Sequence, residues 1–376
     1  MRQLPLAGKF HMASDRPLIT VLIATKDRPD DLRRTLCDLR RQDYPSVEMI
    51  VIDDGSADRL ESIVREEWPT AVYVRESDSQ GCPQRRSEGF LLAKGEYIVE
   101  LDDDSSPVAP DALSRAVRYM QDHPGIGILS FHIFNGPVLP ENQPSLDAKY
   151  AYNFVGCGAV FRTAAVLQTG GYRAFFQGEW EESEFSLRML KAGWSVYFFP
   201  EVLIHHHVSP LQRRSARAWM RAFRNKLWAM IMHYPASRVL TEGSWVVALA
   251  CWDAVRLFRP RELFAGFSQF AAGVPRAWRL RRPMSPACMN LYDTLRFKSI
   301  RTEEEFRSPP PCRLADLVAY YRRAWLNRPR QRSVWDNRPG DVGSSDTVQF
   351  AHEFAGGRGP ASLGDPRKDQ TERNPE

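Results

Sequence analysis

Residues 17–25 (PLITVLIAT) are an almost unbroken run of apolar and β-branched side chains. That pattern reads as a strand covered on both faces, as in a parallel sheet. A polar turn, Lys26-Asp27-Arg28-Pro29-Asp30, comes next, and the apolar spacing then lengthens, with Leu32, Leu36 and Leu39 on one helical face and arginines opposite. Tyr44-Pro45 ends that helix, and a second buried strand over 47–52 runs into Asp53-Asp54-Gly55-Ser56. The pattern goes on to predict a helix over 60–68, a strand over 71–74 and a helix over 86–94. After Gly95, a strand from Tyr97 to Leu101 ends in Asp102-Asp103-Asp104. Strands and helices alternating at this spacing imply βαβ units, so the expected class is α/β, a Rossmann-like, mostly parallel sheet with flanking helices.

Beyond the acidic strand the pattern predicts a helix over 112–121 and a strand over 127–134. Residues 135–152 carry prolines and glycines with little periodicity and read as a mobile loop. A strand over 154–161 contains Gly156 and Gly158, which allow close approach of a ligand or backbone. Gly170-Gly171-Tyr172 is a turn, and Trp180-Glu181-Glu182-Ser183-Glu184 opens an amphipathic helix. A short strand over 196–199 leads to Ile204-His205-His206-His207. From Arg213 onward arginines alternate with Trp219, Phe223, Leu227, Trp228 and Met230, and the theme returns over 245–258 and 264–280. One more helix is expected over 313–326, and the polar stretch 327–376 reads as a disordered tail. The expected organisation is an extension at 1–16, a catalytic α/β domain at 17–210, a region of basic, aromatic amphipathic helices at 211–326, and the tail.

Charge sharpens this division. The 376 residues carry a net +5, yet between Val208 and Ser285 there are 14 Lys/Arg and 3 Asp/Glu. That segment is therefore +11 and the remainder near −6. An anionic partner is expected for the basic part. Short helices with Trp/Phe faces edged by arginine fit a membrane surface, whereas the acidic edge of the α/β half argues against nucleic acid; packed helices with solvated arginines are the plain alternative. No run of about 18 apolar residues suggests a transmembrane helix, and residues 1–16 lack the apolar core of a signal peptide. Six scattered cysteines without a Cys-x-x-Cys pair read as free thiols of a reducing compartment.

In open α/β sheets, ligands collect beyond the carboxyl ends of the strands. Thr25 and Asp27, Asp53 and Asp54, and Asp102 and Asp104 all fall there. Side chains alternate along a strand, so Asp102 and Asp104 sit on one side of its tip, where two hard oxygens suit Mg²⁺ or Mn²⁺. Taken alone, each group has a plainer reading: a solvated acidic turn, a tight Asp-Gly turn, or acids complementing a helix dipole at 181–184.

The order of these motifs resembles a family 2 glycosyltransferase of the GT-A fold. The resemblance runs from Ile19 to about His207 through Thr20–Pro29, Val51–Ser56, Gly89–Asp104, Gly156–Ala159, Gly170–Tyr172 and Glu181–Arg188. It implies inverting transfer of a sugar from a nucleoside diphosphate to an acceptor hydroxyl in polysaccharide or other glycan synthesis. Thr25, Asp27, Asp53, Asp54, Arg86 and Asp102 would bind the donor nucleotide. Asp102, Asp104 and one histidine among His205, His206 and His207, with His206 favoured by its spacing to Pro200, would hold Mn²⁺ or Mg²⁺. Glu182, with Glu181 second, would be the base. The acceptor would be a glycan or a lipid-linked one, and the protein would be cytoplasmic, peripheral on the inner face of the cytoplasmic membrane. Arg188 is expected to pair with a neighbouring acid. The chain departs from the family at Glu182, where an Asp is usual, and at Arg85 and Ser87, where Ala and Asn are usual. Two rivals follow: a metal-dependent nucleotidyltransferase, for which Lys26-Asp27-Arg28 is a poor phosphate loop, and a non-catalytic binding or scaffold subunit that keeps the fold.

Overall fold

The computed structural model describes residues 16–208, 216–256, 259–313 and a few positions between 315 and 322. The expected extension and tail, the histidine-following stretch 209–215 and most of the expected helix over 313–326 lie outside the described residues.

The first half alternates as the apolar pattern predicts. Strand β1 (Ile19–Thr25) is followed by α1 (Pro29–Leu39), β2 (Val47–Asp53), α2 (Glu61–Glu67), β3 (Val72–Arg75), α3 (Cys82–Leu92) and β4 (Tyr97–Asp102). Helix α3 starts four residues earlier than its apolar spacing suggests, because Pro83 suits a first helical turn. Then come β5 (Ser105–Pro107), α4 (Ala112–Asp122), β6 (Ile126–Asn135), β7 (Lys149–Ala151), β8 (Gly158–Arg162), α5 (Thr163–Thr169), a 3-10 turn at Ala174–Phe176, α6 (Glu181–Ala192) and β9 (Ser195–His206). Helices α7 (Ala216–His233), α8 (Ala236–Arg256), α9 (Pro260–Arg279), α10 (Pro286–Phe297) and α11 (Glu303–Arg307) complete the described chain.

The strands form one sheet in the order β3-β2-β1-β4-β8-β6-β9-β5, with β7 on β9. β1 to β4 pair in parallel. From β8 onward the sheet is mixed, with β8 antiparallel to both β4 and β6, and β9 parallel to β6. The stretch expected as a loop over 135–152 is ordered at both ends: β6 runs to Asn135, and β7 pairs with β9. β9 is also far longer than the four-residue strand expected, because it carries on through Pro200 across a break in register at Phe131/His132 of β6. That extension matters for function: Ser105 of β5 faces His206 of β9, so the histidine run is carried beside the acidic motif.

The main core joins β1, β4, α1 and α4 to Met220, Phe223, Leu227 and Met230 of α7, and to Tyr292 and Leu295 of α10. The helices after residue 215 thus share the core of the sheet instead of standing apart from it.

A candidate active site at the carboxyl edge of the sheet

Parallel register sets Thr25 level with Asp53, and Ala24 level with Asp102. The three predicted constellations therefore do meet at one edge. Their carboxylates, however, have different work.

Asp53 and Asp54 are turned into the protein. Asp53 is fully buried and accepts from the Ser56 amide at 2.8 Å and the Tyr73 hydroxyl at 2.7 Å. Asp54 accepts from Ser79 Oγ (2.7 Å), the amides of Gln80 (2.8 Å) and Gly81 (2.9 Å), and Arg85 Nε (2.7 Å). Burial would raise its pKa, but these bonds win and hold it below the ordinary carboxylate value. With both oxygens so engaged, Asp54 anchors the 79–81 loop. Asp27, with a left-handed backbone (φ 55°), holds the 56–57 turn through the Ala57 amide at 2.7 Å.

Asp102 ends β4, while Asp103 and Asp104 form the turn into β5, and this turn divides the three aspartates. Asp103 points back to β1, where Thr25 Oγ1 donates to it at 2.8 Å and Arg28 pairs with it at 2.9 Å. Burial, opposed by Arg28, pushes its carboxyl up to about 7. Asp102 and Asp104 each have one oxygen paired with an arginine and the other toward His206. Arg86 pairs with Asp102 Oδ1, and Arg28 with Asp104 Oδ2 at 3.3 Å. Their other oxygens face His206 Nε2, at 4.0 Å from Asp102 Oδ2 and 3.1 Å from Asp104 Oδ1. Asn135 Oδ1 accepts from His206 Nδ1 at 2.7 Å, which fixes the ring with Nε2 toward the acids. Alternation along β9 takes His205 elsewhere, to the Gly136 carbonyl at 2.7 Å and against the His207 ring. Ligand atoms of Asp102, Asp104 and His206 all lie within 4.8 Å of one another, two hard oxygens and one imidazole nitrogen. That donor set fits Mg²⁺ or Mn²⁺.

Behind this group lies a second acidic chamber. Arg86, almost fully buried, also reaches Glu100 Oε1 at 3.3 Å and the Gly156 carbonyl at 3.3 Å. Tyr172 donates its hydroxyl to Glu100 at 2.7 Å. The Gly156 amide donates to Glu182 Oε1 at 3.3 Å. A Cβ at Gly156 would lie 2.5 Å from Arg86 Nη1, 3.0 Å from Glu100 Oε1 and 3.1 Å from Glu182 Oε1, so a side chain there would push Arg86 from its place among these groups. Glu181 and Glu182 open α6, and burial raises both above the usual carboxylate range; Arg86 partly offsets this for Glu182.

Residues 20–179 match the family model described as glycosyl transferase family 2. This stretch is a family 2 glycosyltransferase domain. Among curated proteins, the chain is 28% identical over 156 residues to the putative colanic acid biosynthesis glycosyl transferase WcaA of Escherichia coli, covering 38% of this chain and 56% of that protein. It is 26% identical over 139 residues to the GalNAc(5)-diNAcBac-PP-undecaprenol beta-1,3-glucosyltransferase of Campylobacter jejuni, covering 36% and 42%. The chain thus spans from about a third to just over half of the length of the curated relatives it matches. Among solved structures, S. aureus TarS 1-349 superposes with a TM-score of 0.52 at 15% identity, over 84% of this chain and 92% of that one, which shows a shared fold.

Within the glycosyltransferase domain, several residues of the edge had no role in the sequence reading. Arg28 bridges two aspartates, Arg85 anchors Asp54, and Asn135 orients His206. Glu100 was readable in principle, because it lies two residues before Asp102 and so shares its strand face. Ser87, a departure from the family pattern, donates to the Tyr172 carbonyl at 2.9 Å, and Arg188 pairs with Glu184 at 2.9 Å.

Glu100 generates a test. It is fully buried, and burial, opposed by Arg86 and the Tyr172 hydroxyl, pushes its carboxyl from an ordinary 4.5 up to about 8. Between those values the folded protein keeps a proton that the unfolded chain has released, so Glu100 makes stability fall as pH rises through this window. Glu100→Gln should flatten the decline of Tm measured from about pH 5 to about pH 9. Parallel Tm curves for the two proteins would contradict this.

Proposed function

We propose that this protein is an inverting glycosyltransferase that moves a sugar from a nucleoside diphosphate donor to an acceptor hydroxyl in glycan synthesis. The observation that carries the reading is the convergence of Asp102, Asp104 and His206 beside a carboxylate pair at a helix start, buried Glu181 and half-buried Glu182, within a family 2 domain. In this reading the donor nucleoside lies over the ends of β1 and β2, against Thr25, Asp27 and the turn pinned by Asp53, with Asp54 acting through the 79–81 loop. Asp102, Asp104 and His206 would hold Mg²⁺ or Mn²⁺, which would supply positive charge to offset that of the leaving diphosphate. Arg86 steadies Asp102 from the protein side.

Glu182 is the base, and Glu181 its neighbour of raised proton affinity. As the acceptor oxygen bonds to the anomeric carbon, the bond from that carbon to the diphosphate oxygen breaks. The acceptor proton passes to the Glu182 carboxylate, and the nucleoside diphosphate leaves. The extra methylene relative to aspartate is matched by the Gly156 amide, which holds Oε1 in place. This favours a working base over the scaffold alternative.

A lipid-linked acceptor is supported by the Campylobacter relative, whose name specifies a PP-undecaprenol-linked glycan. Among the described residues no helix is long and apolar enough to cross a membrane. Phe264 (77% exposed), Val255 (75%) and Trp278 (65%) stand out on α8 and α9 of the +11 segment. We place this face against the inner surface of the cytoplasmic membrane. Sedimentation with anionic liposomes at low salt should bring the protein down, and its full recovery in the supernatant would remove this part of the reading.

The chemistry is tested by nucleoside diphosphate release from a panel of UDP-, GDP- and dTDP-sugars with Mn²⁺. One donor should be turned over, and Glu182→Gln should slow it by about 10²- to 10⁴-fold. Because burial raises the Glu182 pKa and the base must be ionised, turnover should fall with falling pH already above the ordinary carboxylate range. Glu182→Gln within threefold of wild type, or a pH-independent rate, would contradict the assignment.

A further inference from the structure

The four residues ahead of α6 all have left-handed backbone: Gln177 (φ 59°), Gly178 (94°), Glu179 (62°) and Trp180 (68°). Three of them carry side chains that disfavour this region, so such a run persists only where its surroundings hold it. Helix α7 does so. Arg221 Nη1 donates to the Gln177 carbonyl at 2.9 Å. Arg224 Nη2 reaches the Phe176 carbonyl at 3.3 Å and Gln177 Oε1 at 3.0 Å. Asn225 Nδ2 points at the carbonyls of Phe176 (2.9 Å), Gly178 (2.8 Å) and Glu179 (2.7 Å). Every carbonyl from Phe176 to Glu179 thus meets a donor from α7. Asn225 is fully buried, and Arg224 Nε donates to its Oδ1 at 3.1 Å, which fixes which way the amide faces.

The grip continues on the far side of the helix start. The Trp180 carbonyl accepts from the Glu184 amide at 3.0 Å, opening α6. Glu184, fully buried, accepts from Arg173 at 2.8 Å and lies 2.8 Å from His233 Nε2, at the end of α7. Burial would raise the Glu184 pKa, but Arg188 and His233 hold it far below the usual carboxylate range, so it stays ionised as an anchor. Asn225 and His233 are eight positions apart and share a face of α7. Between their two attachments emerge Glu181 and Glu182.

We infer that Asn225 is a positioning residue for the base: by holding the left-handed run 177–180, it sets the Glu182 carboxylate against the Gly156 amide. This rests on Glu182 being the base, as proposed above. It adds that the helical region after residue 215 is part of the machinery of transfer, and that the donor half of the site works without it.

The test uses the full chain with Asn225→Ala and Asn225→Asp, the second keeping the shape while replacing the donating amide by an acceptor. Binding of UDP, GDP and dTDP with Mn²⁺ should stay within about twofold of wild type, since the donor groups lie at the ends of β1, β2, β4 and β9 and on α3, none of them on α7. Turnover of the active donor should fall on the order of 10²-fold in kcat with KM little changed. Amide hydrogen exchange over 177–184 should accelerate about tenfold or more. A purely structural role would lower Tm and leave kcat within threefold, and that result overturns the inference, as does unchanged exchange over 177–184. Should wild type release nucleotide from no donor, the proposed function fails while the exchange comparison still decides whether Asn225 holds the loop. Should both Asn225 variants fail to fold, Arg221→Ala removes one carbonyl partner from a half-buried position. It should then cost about tenfold in kcat with nucleotide binding intact, and an unchanged kcat would overturn the inference.

Discussion

Carboxylates crowded at one sheet edge repel one another, and the structure of this protein is organised around holding them there. Asp102, Asp103 and Asp104 follow in sequence, Glu100 stands two residues before them, and Glu181 and Glu182 face them from α6. Arg28 and Arg86 supply the counter-charge from within the protein, each bridging two acids. What they leave without an arginine partner is one oxygen each from Asp102 and Asp104, both turned toward the His206 imidazole. A pair of acids aimed at a common point, with their inner oxygens already neutralised, is suited to a divalent cation and not to a further salt bridge.

The same crowding explains why glycine and strand pairing matter as much as the acids. At Gly156, Arg86, Glu100 and Glu182 all come close to a single backbone position. The long β9, paired with β5 and β6, brings His206, about a hundred residues on in sequence, to the acidic tip and to its partner Asn135, about thirty residues on. The Asp102, Asp104 and His206 group and the Glu182 carboxylate are therefore joined through Arg86 and Gly156, not by a common loop.

Much of this was legible in the sequence. Continuous apolar runs named β1, β2 and β4 because strands buried on both faces show no alternation, and their polar ends marked the edge. The acids that bind inward were not separable from those that bind outward. Asp53 and Asp54 differ from Asp102 and Asp104 only in what their loops fold back to touch, such as Ser79 to Gly81 for Asp54. The long β9 was missed because Pro200 interrupts it and its pairing is non-local. The hold of α7 on the 177–180 run left no periodic signal at all, since it depends on side chains of one helix meeting carbonyls of a distant loop. The basic, aromatic character of that region was visible, but it drew attention to a surface while Arg224 and Asn225 face inward.

Calorimetric binding of UDP, GDP and dTDP, each with and without Mn²⁺, to wild type and to Asp104→Ala most directly tests the claim that this edge holds a nucleoside diphosphate through a divalent cation. The account predicts that one nucleotide binds tightly only with Mn²⁺ and that Asp104→Ala loses this binding. Failure of all three nucleotides to bind in either condition, or binding that ignores both the metal and the substitution, would contradict it.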